Sequence, residues 1–232
     1  MSAARKPPRP FVTANFALTW DARVSTRNRT PADFSSKTDK HRLLEIRATG
    51  DAILVGAGTV KADNMAMGLP DEALRAERIA RNQSEYPLRV IITNSGKLDP
   101  DLKVFQGGAA PILIFSTQRM PKPARELLAG KATLYLDETP TVDLSAMMTR
   151  LRRDHGVRRL VCEGGPVLFK SLLVADLVDE LHVTFCPRIF GGEQAATLTG
   201  IAAEFLPEST RLTLRKMEVI DGECFLQYRI LR

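Results

Sequence analysis

Two short stretches carry residues that could hold a phosphorylated ligand. The first, "DAILVGAGTVKADN" (51–64), runs from the apolar Ala52–Val55 into Gly56 and Gly58, then offers the Thr59 hydroxyl and the Asp63 carboxylate. The second, "EGGPVLF" (163–169), follows the apolar "RRLVC" and sets the Glu163 carboxylate before Gly164, Gly165 and Pro166. Glycine lets a backbone approach a ligand closely, and proline suits the first position of a helix. A helix starting there would turn free N–H groups and its positive dipole end towards a pyrophosphate.

A dinucleotide fold of the Rossmann kind needs G-x-G-x-x-G/A and an acid about twenty residues on. Here Lys61 occupies the third position and the region downstream is charged and helical, so that reading fails on both counts. Two glycine loops at the ends of neighbouring parallel strands would instead face one crevice.

No other chemistry competes strongly. Cys162, Cys186 and Cys224 lie far apart in apolar contexts without zinc-ligand spacing, and read as packed free thiols. His41, His155 and His182 fit no catalytic arrangement, and no metal site is expected. Arg47, Glu163 and Asp21 could each be ordinary surface charges or turn residues when taken alone.

The elements that must position these residues follow from periodicity. "FVTANFALTW", "DAILVG", "PLRVIIT", "APILIFS", "ATLYL", "VRRLVC" and "DELHVTFC" read as strands. Helices are expected over "SSKTDKHRLLEIRAT", with Ser36 as N-cap, and over "DEALRAERIARNQ", "PARELLAG", "LSAMMTRLRRDHG" and "PVLFKSLLVADL". "RLTLRKMEVIDGECFLQYRIL" reads as a hairpin turning at Asp221-Gly222. The alternation predicts an α/β fold: a mostly parallel central sheet flanked by helices, with an antiparallel hairpin at its C-terminal end.

The 232 residues suit one domain over 10–232 behind a disordered lead-in over 1–9. No run approaches the roughly 20 apolar residues that span a bilayer, and the N-terminus is not built as a secretory signal, so the expectation is a cytoplasmic protein without a membrane partner. Residues 1–50 hold 10 of the 33 Lys and Arg but 4 of the 27 Asp and Glu, which places the net charge of +6 in that segment. Such a charge steers anions, and a small phosphorylated ligand fits it at least as well as RNA, for which aromatic–basic interleaving is missing.

"RPFVTANFALTWDARV", "DAILVGAGTVKADN", "PLRVIIT" and "LVCEGGPVLFKSLLVADLVDELHVTFCPRIFGG", in this order and closed by the hairpin, resemble the RibD C-terminal reductase domain of riboflavin biosynthesis, which is related in fold to dihydrofolate reductase. No zinc-deaminase motif precedes the match, so a stand-alone reductase is expected. The resemblance implies NADPH-dependent reduction of a ribosylamino-pyrimidine 5′-phosphate to its ribitylamino form, the hydride reaching the sugar C1′ of the opened imine. It also implies a homodimer.

Residue by residue, the resemblance gives cofactor contacts to Leu18 (through its backbone), Phe34, Gly58, Thr59, Asp63, Ser95 near a 2′-phosphate, and Gly164, Gly165, Pro166, Val167 and Leu168 around the pyrophosphate. Glu163 becomes the catalytic, substrate-contacting acid, with Asn15 facing the pyrimidine and Arg47 binding substrate. The chain departs from the pattern at Trp20, Ala22, Ala32, Met65 and Pro70; the last stands where an Arg would reach the substrate phosphate, and Arg75 and Arg78 are its candidate substitutes. Same-fold reduction of another pteridine, pyrimidine or imine, and a non-catalytic nucleotide- or RNA-binding role, are the alternatives.

Overall fold

A computed structural model describes residues 8–26, 28, 34–107, 110–200, 206 and 209–231, which leaves Ala32 and most of the expected lead-in outside the described residues. The elements run β1 (Phe11–Thr19), α1 (Lys37–Thr49), β2 (Ala52–Gly56), α2 (Ala57–Asp63), α3 (Glu72–Ala80), β3 (Leu88–Ile92), β4 (Ile112–Thr117), α4 (Lys122–Ala129), β5 (Thr133–Asp137), α5 (Leu144–Asp154), β6 (Arg159–Cys162), α6 (Pro166–Val174), β7 (Glu180–Cys186), β8 (Arg211–Ile220) and β9 (Glu223–Leu231). They build one nine-stranded sheet in the order β5-β4-β3-β2-β6-β1-β7-β9-β8. All pairs from β5 to β7 are parallel, whereas β9 joins β7 and β8 antiparallel.

The alternation along β2 explains the layering. Ala52 and Leu54 enter one core with Val12, Ala14, Phe16 and Leu18 of β1 and with Leu168, Phe169 and Leu172 of α6. Ile53 and Val55 enter a second core on the opposite face, with Val60 of α2 and Leu128 of α4. A parallel strand covered on both sides reads as an uninterrupted apolar run, as "AILV" does.

Helix α1 starts at Ser36, whose side chain accepts from the Asp39 N–H as its capping residue. Leu43, Leu44 and Ile46 stay half-buried, and only Asp39, Arg47 and Ala48 of α1 are buried. The helix thus carries no continuous apolar stripe, and its Arg42, Glu45, Ile46 and Thr49 line a cavity with Asn15 of β1. The hairpin turns where expected: Asp221 and Gly222 have φ of 51° and 83°, the pair of positive angles that a tight primed turn requires. Two residues ahead of β1, Arg9 is anchored to both Asp179 oxygens at 2.7 and 2.9 Å.

Candidate active site

The short strand β6 creates the site. It ends at Cys162, level with Ala14 of β1 and Leu54 of β2, while both neighbours continue beyond it. The chain leaving β6 thus enters a notch between β2 and β1, bringing the two glycine loops together. Gly165 N–H donates to Thr59 Oγ1 at 2.9 Å, so Thr59 ties the first loop to the second. The Thr59 hydroxyl proton stays available to a ligand, since that oxygen only accepts in this bond.

A Cβ at Gly165 would lie 2.8 Å from Thr59 Oγ1, and one at Gly164 would lie 2.5 Å from Leu168 Cδ2. Glycine is therefore a packing requirement at both positions. No side chain caps α6, whose first position is Pro166, so its opening N–H groups are left for a ligand. Val167 is 79% exposed at this rim, whereas the Leu168 side chain is committed to the core and only its backbone can serve a ligand. A pyrophosphate fits this cradle. Gly58 has open space where its Cβ would be, leaving the surface of α2 accessible.

Behind the cradle, the Glu163 carboxylate is clasped by Arg47: Nε to Oε1 at 2.6 Å and Nη2 to Oε2 at 2.7 Å. Both side chains are nearly buried, and Arg47 Nη1 also donates to the Gly68 carbonyl at 2.8 Å. Burial works against the Arg47 charge, but the adjacent Glu163 raises its pKa above the ordinary value. These two residues, each readable as a lone surface charge, are one closed pair. The Asp63 carboxyl is pushed up by burial first and then by the negative charge of Glu163.

The remaining expected residues are spread along this edge of the sheet. Leu18 is buried in β1, leaving its backbone as the only route to a ligand. Phe34 packs edge-on against Phe190, ring centroids 5.0 Å apart. Asp21 holds that neighbourhood together by accepting from Thr19 Oγ1 at 2.6 Å, Gly191 N at 2.7 Å and Phe190 N at 3.2 Å. Led by the Thr19 bond, these contacts hold its pKa near 2 against the usual 3.8. Ser95 follows β3 at the same end of the sheet, its Oγ accepting only a long 3.4 Å bond from Lys97 N. Asn15 lies across from His182 on the face under α1, where it lines a cavity of about 200 Å³ with Arg42, Thr184 and Gln227.

The departures from the pattern also find places. Trp20 is 67% exposed at the end of β1, edge-on to Phe185. Ala22 adopts φ 59°, a left-handed conformation that favours the glycine of the usual pattern. Met65 and Pro70 line a second cavity, of about 390 Å³. Of the two candidate substitutes for the missing cation, Arg78 is fully buried and donates to the carbonyls of Ala48, Gly50 and Ser84, so it holds structure. Arg75 lines the second cavity.

Sequence reasoning missed the arginines that work inside the fold. Arg89, 5% exposed on a strand, donates to the carbonyls of Val104, Gly107 and Ala110. All three thiols are free; Cys162 and Cys186 are buried as expected, and burial pushes Cys162 up to about 12 and Cys186 upward as well, whereas Cys224 is only half-buried. His41 contacts Glu45, His155 contacts Tyr135 and His182 contacts Glu180. Among the described residues no helix is long and apolar enough to cross a membrane, and no cluster could hold a metal ion.

The profile of the RibD C-terminal domain matches residues 10–226, from one residue before β1 into β9. The chain belongs to this family. Within it, the chain is 30% identical over 223 residues to the 2,5-diamino-6-ribosylamino-4(3H)-pyrimidinone 5′-phosphate reductase of Methanothermobacter thermautotrophicus, covering 96% of this chain and 99% of the relative. The Archaeoglobus fulgidus protein of the same name is 31% identical over 191 residues, covering 82% and 86%. A pyrimidine reductase-like protein of Corynebacterium diphtheriae shares the fold with a TM-score of 0.84 at 20% identity, covering 96% of this chain and 92% of that one. The riboflavin biosynthesis reductase of Saccharomyces cerevisiae superposes with a TM-score of 0.67 at 23% identity, covering 96% and 90%.

Proposed function

We propose that the protein is an NADPH-dependent reductase that converts a ribosylamino-pyrimidine 5′-phosphate to its ribitylamino form. The observation that carries this reading is the Thr59–Gly165 hydrogen bond, which closes two glycine loops into one anion-receiving rim in front of the Arg47–Glu163 pair. The names of the full-length archaeal relatives support the substrate class.

When bound, NADPH supplies the hydride. The chain contributes binding, orientation and exclusion of water. The N-terminus of α6, with Gly164 to Leu168 and the neighbouring Thr59, would hold the pyrophosphate; Asp63 and the Leu18 backbone would contact the cofactor elsewhere, Ser95 would serve the 2′-phosphate, and Phe34 would lie beside the nicotinamide. Glu163 meets the substrate in a fixed orientation because Arg47 grips both its oxygens. Asn15 faces the pyrimidine.

A homodimer and a cytoplasmic location belong to the same reading. The dimer is supported by β8, an edge strand whose exposed Leu212, Leu214, Met217 and Val219 pair in register with Ile230, Tyr228, Leu226 and Cys224 of β9, forming one apolar sheet face.

The test is oxidation of NADPH, followed by its near-ultraviolet absorbance, with the ribosylamino-pyrimidine phosphate as acceptor. Stoichiometric oxidation supports the reading, and absence of NADPH binding overturns it. Glu163→Gln is expected to lower turnover by roughly a hundredfold while NADPH affinity stays within about twofold. An equal loss of cofactor affinity would remove Glu163 from its assigned role.

A further inference from the structure

The start of α1 is held from the far end of the chain. Glu223, the first residue of β9, is only 3% exposed, and its carboxylate accepts the Ser36 N–H at 2.8 Å through Oε1 and the Ser36 hydroxyl at 2.5 Å through Oε2. Ser36 is the residue that caps α1, its Oγ accepting from the Asp39 N–H at 3.0 Å. One carboxylate therefore fixes both the backbone and the side chain of the capping residue. Further along α1, Arg42 pairs with Glu218 of β8 and lies over the Phe225 ring of β9, 4.2 Å from carbon to centroid.

The arrangement at Glu223 is a poor way to gain stability. Its partners are neutral: the two Ser36 groups and the Cys186 thiol, whose pKa is pushed upward first by burial and then by its hydrogen bond to Glu223. No cation pairs with Glu223 among the described residues. A buried carboxylate without a cation costs free energy that neutral donors only partly offset. What the carboxylate does supply is direction. Hydrogen bonds to an ionised acceptor are shorter and roughly twice as strong as neutral ones, so they hold their donors in a defined place.

Two residues before Ser36 stands Phe34, buried, its ring edge-on to Phe190 at 5.0 Å between centroids. Phe190 is itself fixed by the bond from its N–H to Asp21. The short link 34–36 is thus pinned at both ends, by Phe190 and by Glu223. We infer that Glu223 is a positioning residue of the cofactor site: through Ser36 it sets where Phe34 stands, and so the shape of the pocket that receives the nicotinamide ring. The inference rests on the reductase reading, which puts Phe34 beside the nicotinamide. It brings the C-terminal hairpin into the support of the active site, 187 positions from Ser36 along the chain.

The experiment is calorimetric titration of the whole chain with two probes: NADPH, and 2′-phospho-ADP-ribose, the same molecule without its nicotinamide ring. It is run on the unmodified protein and on Glu223→Gln, Glu223→Ala and Ser36→Ala. Gln keeps an acceptor for the Ser36 N–H at the same reach, Ala removes both bonds, and Ser36→Ala deletes the hydroxyl bond from the other end of the link. A loosened Phe34 must be ordered again on binding, at a cost of up to about tenfold per side chain. Glu223→Ala is therefore expected to weaken NADPH about five- to tenfold and to leave 2′-phospho-ADP-ribose within about twofold, because only the nicotinamide end meets Phe34. Ser36→Ala weakens NADPH about threefold, and Glu223→Gln stays within about twofold of the unmodified protein.

Equal weakening of both probes overturns the inference, since a general loss of structure does not single out the nicotinamide end. So does unchanged NADPH binding in Glu223→Ala, or Gln failing as fully as Ala. If Glu223→Ala does not fold, Ser36→Ala decides between selective and equal loss by itself. Amide hydrogen exchange adds a readout that needs no ligand: Ser36 should exchange faster in Glu223→Ala while the amides of β8 and β9 keep their protection, and unchanged exchange at Ser36 refutes the link. The two readings fail separately. An unmodified protein that binds neither probe refutes the reductase reading, whereas one that binds both, with the loss in Glu223→Ala shared equally, refutes this inference alone.

Discussion

On the β2–β6 side of the crevice the surface is made of backbone and small residues: Gly58, Gly164, Gly165, the N-terminus of α6 and a single hydroxyl, Thr59, that ties the loops together. On the α1 side, charged side chains make the surface: Arg47 grips Glu163 and Gly68, and Arg75 grips Leu69 and Pro70. The two walls teach different rules of substitution. The backbone cradle has little freedom at Gly164 and Gly165, where a Cβ would meet Leu168 or Thr59, whereas Gly58 has open space. The wall of long side chains depends on pairings rather than on close approach, Arg47 with Glu163 and Arg75 with Glu85.

The largest expected effect breaks the side-chain wall. Arg47→Met leaves the nearly buried Glu163 without its cation, and removing one partner of a buried pair typically costs about 3–5 kcal/mol. Urea denaturation reads this as a lower midpoint with an unchanged slope. The double variant Arg47→Met/Glu163→Met is expected to recover much of the stability while remaining inactive. If the single and double variants were equally unstable, the bond from Arg47 to Gly68 would outweigh the ion pair.

The second prediction breaks the backbone wall. Gly165→Asp places a Cβ 2.8 Å from Thr59 Oγ1 and a carboxylate where the pyrophosphate is proposed to lie. NADPH affinity is expected to fall by roughly a hundredfold or more, about 2.7 kcal/mol, while stability changes less than in Arg47→Met. Fluorescence titration with NADPH measures it. Unchanged affinity would remove the α6 N-terminus from the cofactor site.

The contrast also explains what the sequence made legible. Features set by neighbours in the chain could be read directly: the Ser36 cap, the apolar run of β2, the Asp221-Gly222 turn and both glycine loops. Features set by distant partners could not. Arg47 and Glu163 are separated by 116 positions and were read singly, so their closed pairing came only from the fold. Nothing in "EYPLRVIIT" shows that Arg89 points inward to three carbonyls, because its partners lie on the segment after β3. The early end of β6, which opens the notch, is equally a matter of register between strands.

A third, smaller effect sharpens the comparison where β1 meets the 190–191 turn, a place held by one side chain. Asp21 has its folded-state pKa lowered from 3.8 to about 2, so its contribution is complete above about pH 4 and lost as pH falls towards 2. Asp21→Asn is expected to cost on the order of 1 kcal/mol at neutral pH, as charged acceptors exceed neutral ones by about that much. The stability gap between the two proteins should close between pH 4 and 2. A constant gap across that range would mean the carboxylate charge is unimportant.

The smallest effect has the opposite sign. Ala22 sits at φ 59° immediately beyond β1, its N–H donating to the Thr19 carbonyl at 2.8 Å, so the turn holds it in a left-handed conformation. For alanine that conformation costs roughly 1–2 kcal/mol, and the greater unfolded-state entropy of glycine offsets only part of the relief. Ala22→Gly should therefore stabilise the protein by about 0.5–1 kcal/mol. Ala146→Gly, inside helix α5, should destabilise it by a similar amount and serves as the control. Destabilisation by both would show that Ala22 bears no strain; opposite signs would mean that a turn in this chain accepts backbone strain which its glycine cradle, packed against Thr59 and Leu168, leaves no room to accept.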